Sequence, residues 1–222
     1  MTRSIIIKSA PPDLDAAALD ALTATSSALL ADAHRDVACL GTPIGPLGGR
    51  TVFIGSAVTI GAGSMAQWKA LDLAVPGQVL VIATGGRRDR AEFGAIFVEL
   101  AMRKGVAAIV TDGLLRDGEE IGQLDMPVFA CGSHPSSPRD DTPGRIGATE
   151  TLQQTAISSG DILVGDKDGI AVVPRAALPA VLERLLAQRQ HEAGLAASLS
   201  GHEALLPVRV SEAIAAIPII SA

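Results

Sequence analysis

An arginine followed directly by an aspartate, Arg116-Asp117, closes the segment Thr111-Asp-Gly-Leu-Leu-Arg-Asp117. A carboxylate just beyond a buried strand can hold a hard cation such as Mg²⁺, which prefers oxygen ligands and keeps several waters. A neighbouring guanidinium can then stabilise an oxyanion beside that ion. The same pair also reads as a surface salt bridge, or as Asp117 capping a helix. Gly94-Ala95-Ile96-Phe97 stands near the start of a helix, where unsatisfied N–H groups bind carboxylates without a cationic side chain; Gly94 alternatively serves only close helix packing. Asp166 and Asp168 precede Gly169, and acidic residues before a turn glycine ordinarily serve the turn rather than a metal. Glu192 lies seven residues after Leu185 on the continuation of an apolar stripe, so it either meets a partner in a neighbouring subunit or is exposed as the helix frays. Gly86-Arg-Arg-Asp-Arg90 gathers three cations that suit either a solvated loop or an anionic substrate.

The elements that must position these groups follow from hydrophobic pattern. Residues 12–35 read as one helix, with prolines at the start and Asp13 as N-cap. The Gly- and Pro-rich stretch 40–49 reads as a loop. Residues 51–60, rich in β-branched side chains, predict a strand with a bulge at the mid-run glycine. Residues 77–83 and 106–111 are short apolar runs of the buried-strand type, and residues 91–104 between them read as a helix closed by Gly105. That order is a βαβ unit, whose parallel strands place ligands beyond their carboxyl ends. Residues 126–131 predict another strand and 132–144 a loop. Residues 161–166 and 170–173 flank a hairpin turn at Lys167-Asp168-Gly169. After Pro174, Leu178, Val181, Leu182 and Leu185 set a helix that runs to about Ser200.

Composition removes several function classes. Of 222 residues 48% are hydrophobic and only 2% aromatic, with one Trp and no Tyr, which leaves too few flat faces for a sugar platform or a base-stacking groove. A net charge of −6 argues against a nucleic-acid footprint. Two cysteines, Cys39 and Cys131, are too few for a disulfide scaffold or a thiolate zinc site, and the four histidines lack paired ligand spacing. The longest uncharged stretch, 51–68, is interrupted by glycines and hydroxyl residues and does not read as a spanning helix. The apolar run at the amino terminus is three residues long, too short for a signal-peptide core. The expectation is a cytoplasmic protein with no membrane contact, whose small apolar residues are partly covered by other subunits.

Taken in order, the segments resemble the RraA-like family, which includes class II 4-hydroxy-4-methyl-2-oxoglutarate and 4-carboxy-4-hydroxy-2-oxoadipate aldolases. The resemblance runs over about residues 20–195. It rests on Asp32-Ala33, Gly55-Ser-Ala-Val-Thr59, Pro76-Gly-Gln-Val-Leu-Val81, Gly94, Gly105 to Gly113, Arg116-Asp117, Pro127-Val-Phe-Ala130, Gly160-Asp161 and Asp166-Lys-Asp-Gly169. It implies an α/β fold, a single swivelling-domain-like β/β/α domain over 1–222 with a mixed sheet, in which 175–222 forms a C-terminal helix and tail at a subunit interface. It also implies a lyase that cleaves a 4-hydroxy-2-oxo diacid to pyruvate and a second oxo acid, with oxaloacetate decarboxylation as a side activity. On that resemblance Asp117 holds Mg²⁺ or Mn²⁺, Arg116 stands beside the keto oxygen, and the amides of Gly94, Ala95, Ile96 and Phe97 bind the pyruvyl carboxylate. A base takes the C4-hydroxyl proton through a metal-bound or ordered water, and Glu192 matches a glutamate supplied by the adjacent subunit of a trimer or dimer of trimers. One departure stands out. Ala95 occupies a position that is usually Asp or Glu in the aldolases, and Phe97 one that is usually Leu. The family also contains proteins that inhibit ribonuclease E by binding it, so a non-catalytic regulator is the alternative expectation.

Overall fold

The chain enters through a short strand, β1 (Ile6–Ile7), and then makes two helices where the sequence predicts one, α1 (Ala16–Thr23) and α2 (Ser27–Ala33). The break falls in Thr23-Ala-Thr-Ser-Ser27, a run of hydroxyl side chains that compete for backbone partners. The hydroxyls of Thr23 and Thr25 donate to carbonyls one turn back, and Ser26 Oγ accepts from the Leu29 N–H at 3.1 Å and so caps a new helix. α1 is capped by Asp15, whose Oδ1 accepts from the Ala18 N–H at 2.7 Å. The expected cap Asp13 lies outside the described residues: the computed structural model describes 4–8, 14–61, 63–137, 142–200 and 208–218.

The stretch read as a loop holds the end of β2 (Ala38–Leu40) and all of β3 (Gly45–Pro46). From there β4 (Phe53–Gly61), α3 (Ser64–Leu73) and β5 (Gln78–Ala83) lead to the strand β6 (Ala91–Phe93) and α4 (Ala95–Arg103). β7 (Ala108–Thr111), β8 (Leu114–Leu115), α5 (Gly118–Gln123) and β9 (Val128–Ala130) complete the parallel half. Short strands β10 (Arg145–Ile146), β11 (Glu150–Leu152) and β12 (Thr155–Ile157) precede the hairpin β13 (Ile162–Asp166) and β14 (Gly169–Val173). α6 (Leu178–Ser200) and α7 (Val208–Ala215) end the described chain.

The main sheet is mixed, in the order β2-β14-β13-β4-β5-β7-β9-β3. β4, β5, β7 and β9 are parallel, and antiparallel strands flank them on both sides. The predicted bulge in β4 is absent: the strand keeps continuous register with β13 and β5. Gly55 instead lets the Gly77 carbonyl approach, where any Cβ would collide. One sheet face packs α3, α4 and α5 through Val58, Ile60, Leu80, Ile82 and Ile109. The other face is closed by the β11–β12 hairpin, with Leu152 and Ile157 over Val79, Val81 and Phe129. The stripe Leu178, Val181 and Leu185 of α6 covers α1, α2 and the β13–β14 hairpin, as its spacing predicts. Among the described residues no helix is long and apolar enough to cross a membrane.

Candidate active site

β5 and β7 are adjacent parallel strands, and the segments that follow their carboxyl ends carry the candidate residues. β6, read as the start of a helix, is a strand that pairs in parallel with β8, so α4 starts four residues later than the pattern suggests. This small two-stranded sheet sets the geometry. The Arg116 N–H donates to the Phe93 carbonyl at 3.0 Å, which ties the Arg116-Asp117 backbone to the residue before Gly94.

Asp117 sits in the left-handed region, φ 59° and ψ 38°, at the N-cap position of α5, but its side chain makes no cap hydrogen bond. A non-glycine residue held there costs about 1–3 kcal/mol. The carboxylate turns to the start of α4: Oδ2 accepts from the Ala95 N–H at 3.2 Å and lies 3.6 Å from Arg116 Nε. The side chain therefore does not cap its own helix α5 but serves the first amide of α4, and it forms the Arg116–Asp117 salt bridge. Gly94 has ordinary extended backbone and is required by space: a Cβ would press into Asp117 Oδ2 and lie 3.0 Å from Arg116 Cγ and Nε. Of the first three helical amides, Ala95 serves Asp117 and Phe97 closes on the Gly94 carbonyl at 3.0 Å. The Ile96 N–H has no partner among the described residues and is the helix-start donor left for an anion.

Gly94, Ile96, Phe97, Arg116 and Asp117 line one cleft of about 270 Å³. Ala95 gives the site only its amide, because its side chain is buried against the core. Asp117 Oδ1 accepts no hydrogen bond among the described residues, and the Asp117 side chain is 41% exposed. Among those residues no three His, Cys, Asp or Glu side chains converge on a metal position. Among the described residues, the donor available to a hard ion is the Asp117 carboxylate, which would leave such an ion most of its waters.

Comparison with known proteins matches residues 23–172 to a family model described as RraA-like, Aldolase/RraA. The chain belongs to the RraA-like family. A Halalkalibacterium halodurans protein named "Putative 4-hydroxy-4-methyl-2-oxoglutarate aldolase" is 31% identical over 158 residues, covering 70% of this chain and 75% of that protein. An Ectopseudomonas mendocina protein of the same name is 36% identical over 132 residues, covering 58% of this chain and 81% of that protein. Among solved structures, the RNA-processing inhibitor RraA from Thermus thermophilis superposes with a TM-score of 0.64 at 25% identity, over 68% of this chain and 93% of that one. An unusual member of the RNase ES inhibitor RraA protein family from Streptomyces coelicolor gives 0.73 at 25% identity, over 83% and 98%.

This RraA-like chain does not bring every candidate to the cleft. Glu192 is exposed on α6 and is not among the cleft residues. α6 is tied to α1 by Arg189, which donates to the Ala21 carbonyl and the Thr25 hydroxyl. Of the tail beyond α6, the described residues 211–218 are exposed. Asp166 serves the turn: its two oxygens accept from the Ser27 N–H and hydroxyl, both at 2.7 Å, and from the Asp168 N–H at 3.0 Å. Burial would raise its carboxyl, but these bonds outweigh it and hold the group below its ordinary value. In the cationic loop Arg87 pairs with Glu92 at 3.5 Å, and Arg88 donates to the Asp112 and Arg87 carbonyls. The loop itself hangs on the buried Asp112 carboxylate, which accepts from Thr84 N, Thr84 Oγ1 and Gly86 N at 2.7–2.9 Å.

The cleft also holds residues that sequence reasoning missed, chiefly Glu92 and Gln67, both buried, and Trp68. Trp68 stacks edge-on against Phe97, with ring centroids 5.2 Å apart. Reading Ala91-Glu-Phe93 as a helical turn hid Glu92. As a strand beside Gly94 the same triplet would have pointed to it.

Proposed function

We propose that this protein is a divalent-metal-dependent aldolase that releases pyruvate from a 4-hydroxy-2-oxo diacid. The observation that carries the reading is the meeting of Arg116 and Asp117 with the start of α4 in one cleft, where Asp117 keeps an oxygen free of hydrogen bonds. The names of the relatives at 31% and 36% identity support it. The Ile96 amide and the positive end of α4 receive the substrate carboxylate. The Arg116 guanidinium stands where the 2-oxo oxygen gains charge as the C3–C4 bond breaks, so its stabilisation is largest when the enolate forms. Asp117 would hold Mg²⁺ or Mn²⁺, which when bound supplies Lewis-acid stabilisation of the same charge. Glu192 would enter the cleft of an adjacent subunit in a trimer or dimer of trimers. Decarboxylation of oxaloacetate generates the same pyruvate enolate and is expected as a side activity.

The second reading is a non-catalytic regulator that docks on a ribonuclease. It is favoured by the names of the Thermus structure, an RNA-processing inhibitor, and the Streptomyces structure, an unusual member of the RNase ES inhibitor RraA protein family. A single assay separates the two. Purified protein with Mg²⁺ or Mn²⁺ is given a panel of 4-hydroxy-2-oxo diacids and oxaloacetate, with pyruvate coupled to lactate dehydrogenase. Metal-dependent pyruvate release is expected; no turnover on the whole panel would overturn the aldolase reading and leave the regulator.

A further inference from the structure

Among the described residues two carboxylates line the cleft, Asp117 and Glu92. Asp117 is exposed, strained and turned to the start of α4. Glu92 is its opposite: the side chain is 7% exposed and held from both sides. Its Oε2 accepts from Gln67 Nε2 at 2.9 Å. Its Oε1 has no hydrogen bond and lies 3.5 Å from Arg87 Nη1, a distance at which the ion pair steadies the side chain without consuming that acceptor. Gly113 opposite makes room, because a Cβ there would lie 2.9 Å from Glu92 Cγ. A buried carboxylate with one acceptor held in reserve costs stability unless something donates to it. A substrate hydroxyl is such a donor.

We propose that Glu92 is the base that takes the C4-hydroxyl proton of the 4-hydroxy-2-oxo acid. The assignment rests on the aldolase reading. The O–H bond breaks toward Glu92, and its electron pair forms the C4 carbonyl as the C3–C4 bond breaks. The C3–C4 pair passes to the pyruvate enolate. The proton now on Glu92 passes to solvent and water protonates C3 of the enolate to give pyruvate, so the sequence is redox-neutral and regenerates the carboxylate. With Asp117 given to the ion and Arg116 permanently charged, Glu92 is the carboxylate left for a proton among the described cleft residues. Burial raises its carboxyl, and Asp112 adds to this. The Arg87 charge, the Gln67 hydrogen bond and Arg90 pull the other way without restoring the ordinary value. A carboxylate raised in this way is a stronger base than a solvated one.

The test compares two reactions of one protein. Oxaloacetate decarboxylation has no hydroxyl proton to remove. In Glu92→Gln the amide oxygen still accepts from Gln67, and kcat for hydroxy-acid cleavage is expected to fall about 10²–10⁴-fold. Oxaloacetate decarboxylation, which needs no base at C4, is expected to fall at least about tenfold less, and KM for the hydroxy acid to change little. An equal loss of both activities, or no loss of either, overturns the proposal. A wild-type protein that cleaves no hydroxy acid ends the aldolase reading, and the proposal with it. Arg87→Gln gives an independent readout. Removing the cation that lowers Glu92 shifts the acidic limb of the cleavage pH profile upward, whereas a limb that stays in place contradicts the assignment.

Discussion

Asp117, between β8 and the glycine that opens α5, and Asp166, at the end of β13 before the turn to β14, are both aspartates at the exit of a strand, and the fold uses them in opposite ways. Asp166 spends both oxygens on three short hydrogen bonds that pin the start of α2 to the β13–β14 turn. Asp117 makes one long bond to Ala95, leaves Oδ1 open, and sits in a left-handed conformation that its neighbours must enforce. A saturated carboxylate builds structure; an unsaturated one held at a cost in backbone strain is available to a ligand.

Replacing each aspartate should separate activity from stability. Asp117→Asn, which keeps a side chain tolerant of the left-handed region, is expected to lower pyruvate release by about 10³-fold while leaving the melting temperature nearly unchanged. A loss of stability without loss of turnover would reverse the contrast. Gly94→Ala drives a Cβ against the Asp117 carboxylate, and displacing that group by a fraction of an ångström should cost about 10²-fold in kcat/KM. Asp166→Ala belongs on the other side: it should lose about 1–3 kcal/mol in denaturant unfolding and retain its specific activity.

Acid sharpens the same comparison. Asp166 is held below its ordinary value, so the folded state binds fewer protons there than the unfolded chain. Its contribution is present above about pH 4 and is lost as pH falls through the depressed folded value. Urea unfolding of wild type and Asp166→Asn between pH 7 and 3 should show the difference between them shrinking as acid is added. The smallest effect is expected at Asp168, which lends the turn only its backbone N–H. Asp168→Ala should shift stability by less than about 0.5 kcal/mol.

Much of this was legible in the sequence. Buried strands at 77–83 and 106–111, the 161–173 hairpin and the α6 stripe are local patterns, and each formed where the pattern placed it. Gly105, at φ 73°, closes α4 as expected. The misreadings share a cause. Apolar content alone does not separate a short strand from a helical turn, so the pattern runs β6 into α4. A run of hydroxyl residues does not announce which of them will cap, so the pattern joins α1 and α2.

By itself the sequence determined the buried strands, the 161–173 hairpin and the shortage of His, Cys and aromatic side chains, and it singled out Gly94, Arg116 and Asp117 as candidates. These depend on local periodicity and on chemical type. Tertiary structure decided which aspartate is saturated, that Gly94 is a matter of space rather than of φ, and that Glu92 shares the cleft with Asp117. The reason is physical: hydrogen-bond satisfaction and burial are fixed by partners distant in the chain, as when Ser27 meets Asp166 or Gln67 meets Glu92.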